Sequence, residues 1–197
     1  MAWGWLLTRH LEGSIGAVDD DLARWIADGR TATLTDAAEI GTFLGDTIVG
    51  AVVLGVAAVV FAIRQRSWLP ILFIALVEAG VGGIYWFGTH LDPRQRPPVK
   101  ILDQGLVPDH SFPSGHTGTA MAIFLGLAFL VWTYTRVPRG VGMALVVVPL
   151  ACASARLYQG AHHLSDVLTS MVYATVWIAL AARLVLSRDR SVPGRTG

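Results

Sequence analysis

Residues 47–63 read TIVGAVVLGVAAVVFAI, a stretch without a charged side chain. Apolar character continues upstream to about residue 36, and a helix needs roughly 20 mostly apolar residues to cross a bilayer. The stretch therefore predicts a membrane span at residues 36–63. Further runs of the same kind follow at residues 67–91 (interrupted only by Glu78), 117–135, 140–156 and 162–186.

The composition is typical of a membrane protein. Of the 197 residues, 53% are hydrophobic and 15% are charged, whereas an average soluble domain has roughly 45–50% and 25%. The formal net charge of +1 excludes a nucleic-acid-binding polycation and an acidic tail protein. The single cysteine, Cys152, excludes an intrachain disulfide and a cysteine-based metal site.

The connectors at residues 64–66 and 136–139 are so short that the helices flanking each must be antiparallel neighbours. We therefore expect an all-α fold, a polytopic transmembrane helix bundle with five spans. Its parts would be an N-terminal region with an amphipathic helix (residues 1–34), a transmembrane domain (35–187) and a tail (188–197).

The stretch at residues 92–114 contains five prolines and no periodic apolar pattern, which predicts a loop. A loop of this length in a compact protein is typically either functional or disordered, and membrane depth leaves little room for irregular backbone without a role.

Arginines cluster at one end of the predicted bundle, where the first, third and fifth spans end. They outnumber the one acidic residue there, Asp189, and by the positive-inside rule this end and the tail should be cytoplasmic. The long loop and the junction at residues 156–163 would then be extracytoplasmic. The clustered arginines are Arg64, Arg66, Arg136, Arg139, Arg188, Arg190 and Arg195.

Residues 18–29 predict an amphipathic helix at the membrane interface, because one helical face is apolar and the other carries aspartates. The alternative is an ordinary solvated helix over the end of the bundle. The apolar face would consist of Val18, Leu22, Trp25 and Ile26.

Residues 1–7, MAWGWLL, are apolar but too short to span a membrane. They have the length of the last two turns of a preceding span, so we expect that the sequence starts late and lacks a first span. A five-span protein that starts at Met1 is the alternative.

Three polar clusters converge on the predicted extracytoplasmic side. Arginines supply charged donors that match phosphate oxygens, and a Ser-Gly pair at a helix start adds a hydroxyl and free backbone N–H groups. The clusters therefore predict a phosphate site. They are residues 94–98 (RQRPP), residues 113–116 (PSGH), and the set Arg156, His162 and Asp166.

His162 and Asp166 are four residues apart, so on one helix they share a face. The carboxylate could then orient one imidazole nitrogen and leave the other free as a nucleophile. His116 would be a second imidazole, available as an acid. These groups and two arginines predict a metal-free phosphoryl-transfer site, in which His163 faces away from Asp166 and takes no part.

The clusters resemble the motifs of the type 2 phosphatidic acid phosphatase (PAP2) superfamily, K-x6-R-P, P-S-G-H and S-R-x5-H-x3-D. Two positions depart from the pattern: Thr89 stands where the first motif has lysine, and Ala155 where the third has serine. The resemblance covers residues 36–186. The matching residues are Arg96 and Pro97, the tetrapeptide at 113–116, and Arg156, His162 and Asp166.

The resemblance implies that His162 attacks phosphorus to form a phosphohistidine, with Asp166 as its orienting group. His116 would protonate the leaving oxygen and then activate water. No metal and no cofactor is implied. The phosphate oxygens would be held by Arg96, Arg156, Ser114 and Gly115, and the auxiliary residues near the missing lysine would be Arg94, His90 and Thr89.

The resemblance implies a lipid phosphatase of the cytoplasmic membrane with its active site on the extracytoplasmic face. Its partners would be the bilayer and a lipid phosphate, such as undecaprenyl pyrophosphate, phosphatidylglycerophosphate or phosphatidic acid, and not nucleic acid; the oligomeric state stays open. The alternatives are an inactive relative, a vanadium-haloperoxidase-like enzyme, and a transporter that uses Glu78 and Asp46.

Overall fold

The computed structural model describes residues 2–189, apart from the side chain of residue 139. A π-helical turn, Glu12–Gly16, joins the first two helices, and a 3₁₀ turn, Leu186–Arg188, follows the last one. The helices within this range are α1 (Ala2–Arg9), α2 (Ala17–Asp28), α3 (Ala32–Phe43), α4 (Thr47–Gln65), α5 (Leu69–Leu91), α6 (Gly115–Tyr134), α7 (Arg139–Tyr158) and α8 (Leu164–Val185).

Helices α4 to α8 are long and apolar enough to cross a membrane, which confirms the five predicted spans and indicates a multi-pass membrane protein. α6 is the central helix, since it contacts α4, α5, α7 and α8. Its small residues and its apolar side chains pack into one core with the other spans. That core includes Leu54, Phe73, Val77, Met121, Leu130 and Ile178.

The predicted start of the first span at residue 36 is wrong. The chain turns at Gly45, and α4 begins at Thr47 with the Asp46 carboxylate accepting a hydrogen bond of 2.8 Å from the backbone N–H of Val49. This cap satisfies one of the free N–H groups at a helix start. The residues upstream form the separate helix α3, which packs against α7; the predicted domain boundary at residue 35 lies inside α3.

The opposite ends of the bundle differ in character. At one end lie the starts of α4, α6 and α8 and the ends of α5 and α7, together with the loop at 92–114 that joins α5 to α6. The other end carries the arginine cluster, of which Arg190 and Arg195 lie outside the described residues. There the Asp189 carboxylate accepts hydrogen bonds from Ser67 (2.8 Å) and Tyr134 (2.7 Å), which link the end of the last span to α5 and α6.

The predicted amphipathic helix is present as α2, but one of its aspartates faces the protein. Val18 and Trp25 are exposed, whereas Asp19 is buried and Ala23 packs beside it. α2 lies against α7 and α8 at the loop end of the bundle. A carboxylate faces inward here because a buried guanidinium, that of Arg94, lies opposite Asp19.

Candidate active site

The loop at residues 92–114 folds back on itself at the mouth of the bundle. The backbone N–H of Arg94 donates to the carbonyl of Asp109 (2.9 Å), and the N–H of Ser111 donates to the carbonyl of Arg94 (3.0 Å). These two bonds pair the beginning of the loop with its end. The pairing brings the two arginines of the RQRPP segment, Arg94 and Arg96, close to the residues that precede PSGH.

Arg96 ties the loop to the junction between α7 and α8. Its guanidinium donates to the carbonyls of Val107 (2.9 Å), His110 (3.1 Å) and Ala161. An arginine has five N–H donors, so two stay available for a ligand while the others hold the side chain in place.

Arg156 is buried near the end of α7. Its Nη1 group donates to the Asp103 carboxylate (2.6 Å) and to the Gln159 side chain (2.9 Å). Its Nε and Nη2 groups are buried without a hydrogen-bond partner among the described residues. Because an unpaired buried charged donor is costly, these groups are candidates for binding an anion.

The junction between α7 and α8 turns sharply at Gly160. Its φ of +69° lies in the left-handed region, which glycine adopts without a steric penalty. A Cβ at this position would also lie 2.7 Å from a methyl group of Val99 in the loop. The turn ends α7 and directs His162 inward.

His162 is almost fully buried, and its Nδ1 lies 2.6 Å from the backbone carbonyl of Ser111. A carbonyl only accepts, so Nδ1 carries the hydrogen and Nε2 is the free nitrogen. Burial, and after it the positive charge of Arg156, lowers the pKa of His162 from 6.5 to about 3. The imidazole is therefore neutral at physiological pH, as a nucleophile must be.

Asp166 lies behind His162 and is fully buried. Its Oδ2 accepts from the Ser111 hydroxyl (2.7 Å) and from the His163 backbone N–H (2.9 Å), and its Oδ1 accepts from Arg94 (2.7 Å). His162 and Asp166 were expected to share one face of a helix. They do not, because α8 begins at Leu164 and His162 precedes it. Ser111 contacts both residues and links them.

The prediction that His163 faces away from Asp166 is wrong. His163 is the N-cap of α8, and its Nδ1 lies 3.2 Å from Oδ2 of Asp166. Its Nε2 lies 3.1 Å from Asp20 of α2. The prediction assumed that His163 was already part of the helix, whereas it is the cap residue and does not have helical backbone angles.

The PSGH segment forms the N-terminus of α6. The Ser114 hydroxyl lies 2.9 Å from that of Thr117, and Gly115 lies under the Tyr85 ring, where a Cβ would come within 2.9 Å. His116 follows in the first turn. Arg96 bonds to the carbonyl of Ala161, next to His162, and Ser170 of α8 bonds to the carbonyl of Ser114, so the structure brings the three motifs together at this end of the bundle.

The auxiliary residues have other contacts. Thr89 donates its hydroxyl to the α5 carbonyls of Tyr85 and Trp86. His90 is exposed, stacks on Trp86 at 4.5 Å between ring centroids and bonds to the Trp86 carbonyl. Arg94 points to Asp166 and to the N-terminal region rather than beside Arg156.

A family model, that of the PAP2 superfamily, matches residues 67–190. The chain belongs to the PAP2 superfamily. This match confirms the predicted family over a range that contains all three motifs.

Among the relatives of this PAP2 protein, sphingosine-1-phosphate phosphatase 2 of Mus musculus is 31% identical over 132 residues, 64% of this chain and 35% of the relative. The chain thus spans about a third of that relative's length. Two solved structures share the fold at low identity.

One of them is the transmembrane PAP2 type phosphatidylglycerolphosphate phosphatase from Bacillus subtilis, with a TM-score of 0.84 and 18% identity over 96% of this chain and 95% of that one. The other is LpxE from Aquifex aeolicus, with a TM-score of 0.62 and 21% identity over 83% and 93%. These likenesses confirm the all-helical PAP2 fold.

Three residues of this PAP2 site were missed at the sequence level. Ser111 holds His162 and Asp166, while Asp103 and Gln159 hold Arg156. Gln159 also accepts from Thr42 of α3 (2.7 Å). Their positions next to the motifs were the available signal, but a serine, an aspartate or a glutamine near a motif is too common to indicate a role.

Proposed function

We propose that this PAP2 protein is a membrane lipid phosphatase that hydrolyses a lipid phosphate or pyrophosphate through a phosphohistidine. The observation that carries the proposal is Arg156, whose Nε and Nη2 donors are buried and unpaired within the described structure. The charge of Arg156 is close enough to lower the pKa of His162, after the larger effect of burial, and the Nε2 of that neutral imidazole carries no hydrogen. An anion that binds these donors would meet a nucleophile.

In the proposed reaction, Nε2 of His162 attacks phosphorus, and the bond between phosphorus and the leaving oxygen breaks. His116 enters this step as the imidazolium, gives its proton to that oxygen and becomes neutral. His116 then takes a proton from water as the water attacks phosphorus, the P–N bond breaks, and inorganic phosphate leaves. Arg156 and the spare donors of Arg96 would stabilise the negative charge that develops on the phosphoryl oxygens; Ser114 and the Gly115 N–H are proposed to assist them.

Two features support a lipid as the substrate. The site lies where the ends of five apolar spans meet, so a membrane lipid can present its headgroup there. An apolar cavity of about 610 Å³ adjoins the site, lined by residues of α1, α5 and α8 and by Phe112 and Pro113. Its walls suit a hydrocarbon chain. The substrate class is a lipid phosphate such as undecaprenyl pyrophosphate, phosphatidylglycerophosphate, phosphatidic acid or a sphingoid base phosphate.

The test is phosphate release by the purified protein in lipid nanodiscs from each of these lipids. We expect turnover of at least one lipid that persists in EDTA, and a fall of at least about 1,000-fold in His162→Ala. His10→Ala, at an exposed histidine of the N-terminal region, is the matched control and should keep full activity. Near-wild-type turnover in His162→Ala, or activity that EDTA abolishes and magnesium restores, would contradict the proposal.

A further inference from the structure

The N-terminal region reaches the candidate site through buried charges. The match to the PAP2 family covers residues 67–190, so Asp19 and Asp20 of α2 lie outside it. Asp19 is nevertheless buried, and Asp20 is only partly exposed. Both carboxylates point toward the start of α8, where Asp166 lies.

Asp19 is linked to Asp166 by Arg94. The Nη1 group of Arg94 lies 2.7 Å from Oδ1 of Asp166, and its Nη2 group lies 3.0 Å from Oδ2 of Asp19. Its Nε group faces Glu12 at 3.3 Å. Three carboxylates therefore surround this buried guanidinium, and the hydrogen bonds of its Nη1 and Nη2 groups hold it between Asp166 and Asp19.

Asp19 also holds the first turn of α8 directly. Its Oδ1 accepts a hydrogen bond of 3.2 Å from the backbone N–H of Ser165, and its Oδ2 accepts from the Ser165 hydroxyl. The Ser165 N–H is one of the donors that a helix start leaves free. Asp19 thus contacts both neighbours of Asp166, the residue before it in the chain and the arginine bound to it.

Asp20 provides a second link, through His163. The Nε2 of His163 lies 3.1 Å from Asp20, and its Nδ1 lies 3.2 Å from Oδ2 of Asp166. Each oxygen of Asp166 is thus held by a side chain that a carboxylate of α2 holds in turn. The two links come from consecutive residues of one helical turn.

We propose that Asp19 and Asp20 are positioning residues of the active site, which hold Asp166 through Arg94 and His163. The proposal rests on the proposed phosphatase function. α2 therefore belongs to the catalytic unit, although it lies outside the residues that match the family. A surface helix that only covered the bundle would not need two inward carboxylates, because burying charge is costly unless it is paired.

The experiment compares Asp19→Asn and Asp20→Asn with Asp21→Asn in steady-state phosphate release. Asp21 lies on the same helix, is exposed and pairs only with Arg24 among the described residues. We expect kcat to fall roughly tenfold or more in Asp19→Asn, with KM within about twofold of wild type, because a hydrogen bond to a charged group is lost without loss of the phosphate-binding arginines. Asp20→Asn should show a smaller fall in kcat alone, and Asp21→Asn should match wild type.

Equal kcat values for Asp19→Asn and wild type would overturn the proposal, as would an equal loss in Asp21→Asn. If Asp19→Asn does not fold, Asp20→Asn decides, because its partly exposed side chain can be changed without opening the core; an unchanged kcat there would overturn the proposal. An inactive wild-type protein would instead count against the phosphatase function, so the two failures are distinguishable.

Discussion

Ser111 joins the two residues that the third motif separates. Its carbonyl accepts from Nδ1 of His162, and its hydroxyl donates to Asp166. The carbonyl sets the tautomer of the imidazole, while the hydroxyl binds Asp166 to the same backbone segment. One residue thus performs, through two different groups, what a direct contact between His162 and Asp166 was expected to do.

This arrangement predicts the effect of Ser111→Ala. The variant keeps the carbonyl and loses the hydroxyl, so His162 keeps its tautomer while Asp166 loses one charged hydrogen bond. Such a bond contributes about 1.5–3 kcal/mol, so kcat should fall by about 10- to 100-fold with little change in KM. Ser111→Thr keeps the hydroxyl and should restore most of the activity. Wild-type kcat in Ser111→Ala, measured by phosphate release, would exclude this link.

The motif residues could be predicted from the sequence, but their contacts could not. Arg96, Arg156 and His116 carry side chains that only a few chemistries use, and their spacing in the chain indicates a site. The partner of His162 is a main-chain carbonyl, which every residue has. The role of His163 depends on where α8 begins. The helix starts two residues later than the predicted span, so His163 is its N-cap and contacts Asp166 instead of facing away from it.

At the level of helices, the turn between α3 and α4 brings Gly45 against the start of α6. A Cβ on Gly45 would meet the carbonyl oxygen of His116 and would lie 2.7 Å from Sγ of Cys152. Glycine is required here by the close approach of three helices. The turn therefore packs directly against the first turn of α6, which carries His116.

Gly45→Ala should therefore push the turn away from α6. Overpacking of this kind costs about 1–3 kcal/mol, which corresponds to a fall of roughly 3–10 °C in the apparent melting temperature; phosphate release should fall with it. Gly55→Ala, on a face of α4 with open space around it, is the control and should melt at or above the wild-type temperature. Thermal unfolding in detergent measures both, and identical melting of the two variants would contradict the expectation.

Hydropathy predicted the five spans because an uninterrupted apolar run of roughly 20 residues is typical of a membrane-spanning helix. It failed at residues 36–46, where apolar character continues through a turn that Gly45 and Asp46 produce. The amphipathic pattern predicted α2 itself, but it did not reveal that Asp19 faces the protein with Arg94 opposite it. Local composition predicts that a helix exists, whereas its buried face depends on residues distant in sequence.

On the scale of the whole molecule, the candidate site lies at one end of the bundle, and those arginines of the cluster that the structure describes lie at the other. This polarity leads us to propose that the site faces the extracytoplasmic side, since positively charged ends are retained in the cytoplasm. A phosphatase with this orientation would act on lipids of the outer leaflet.

Cysteine labelling in intact cells can test this orientation, because the native Cys152 is buried and should not react. Gln104→Cys places a thiol in the exposed part of the long loop, and Val137→Cys places one in the exposed connector at the other end without removing an arginine. We expect a membrane-impermeant maleimide to label Gln104→Cys in intact cells and Val137→Cys only after permeabilisation. The reverse pattern would place the site in the cytoplasm, and the polarity of the arginines would then have another cause.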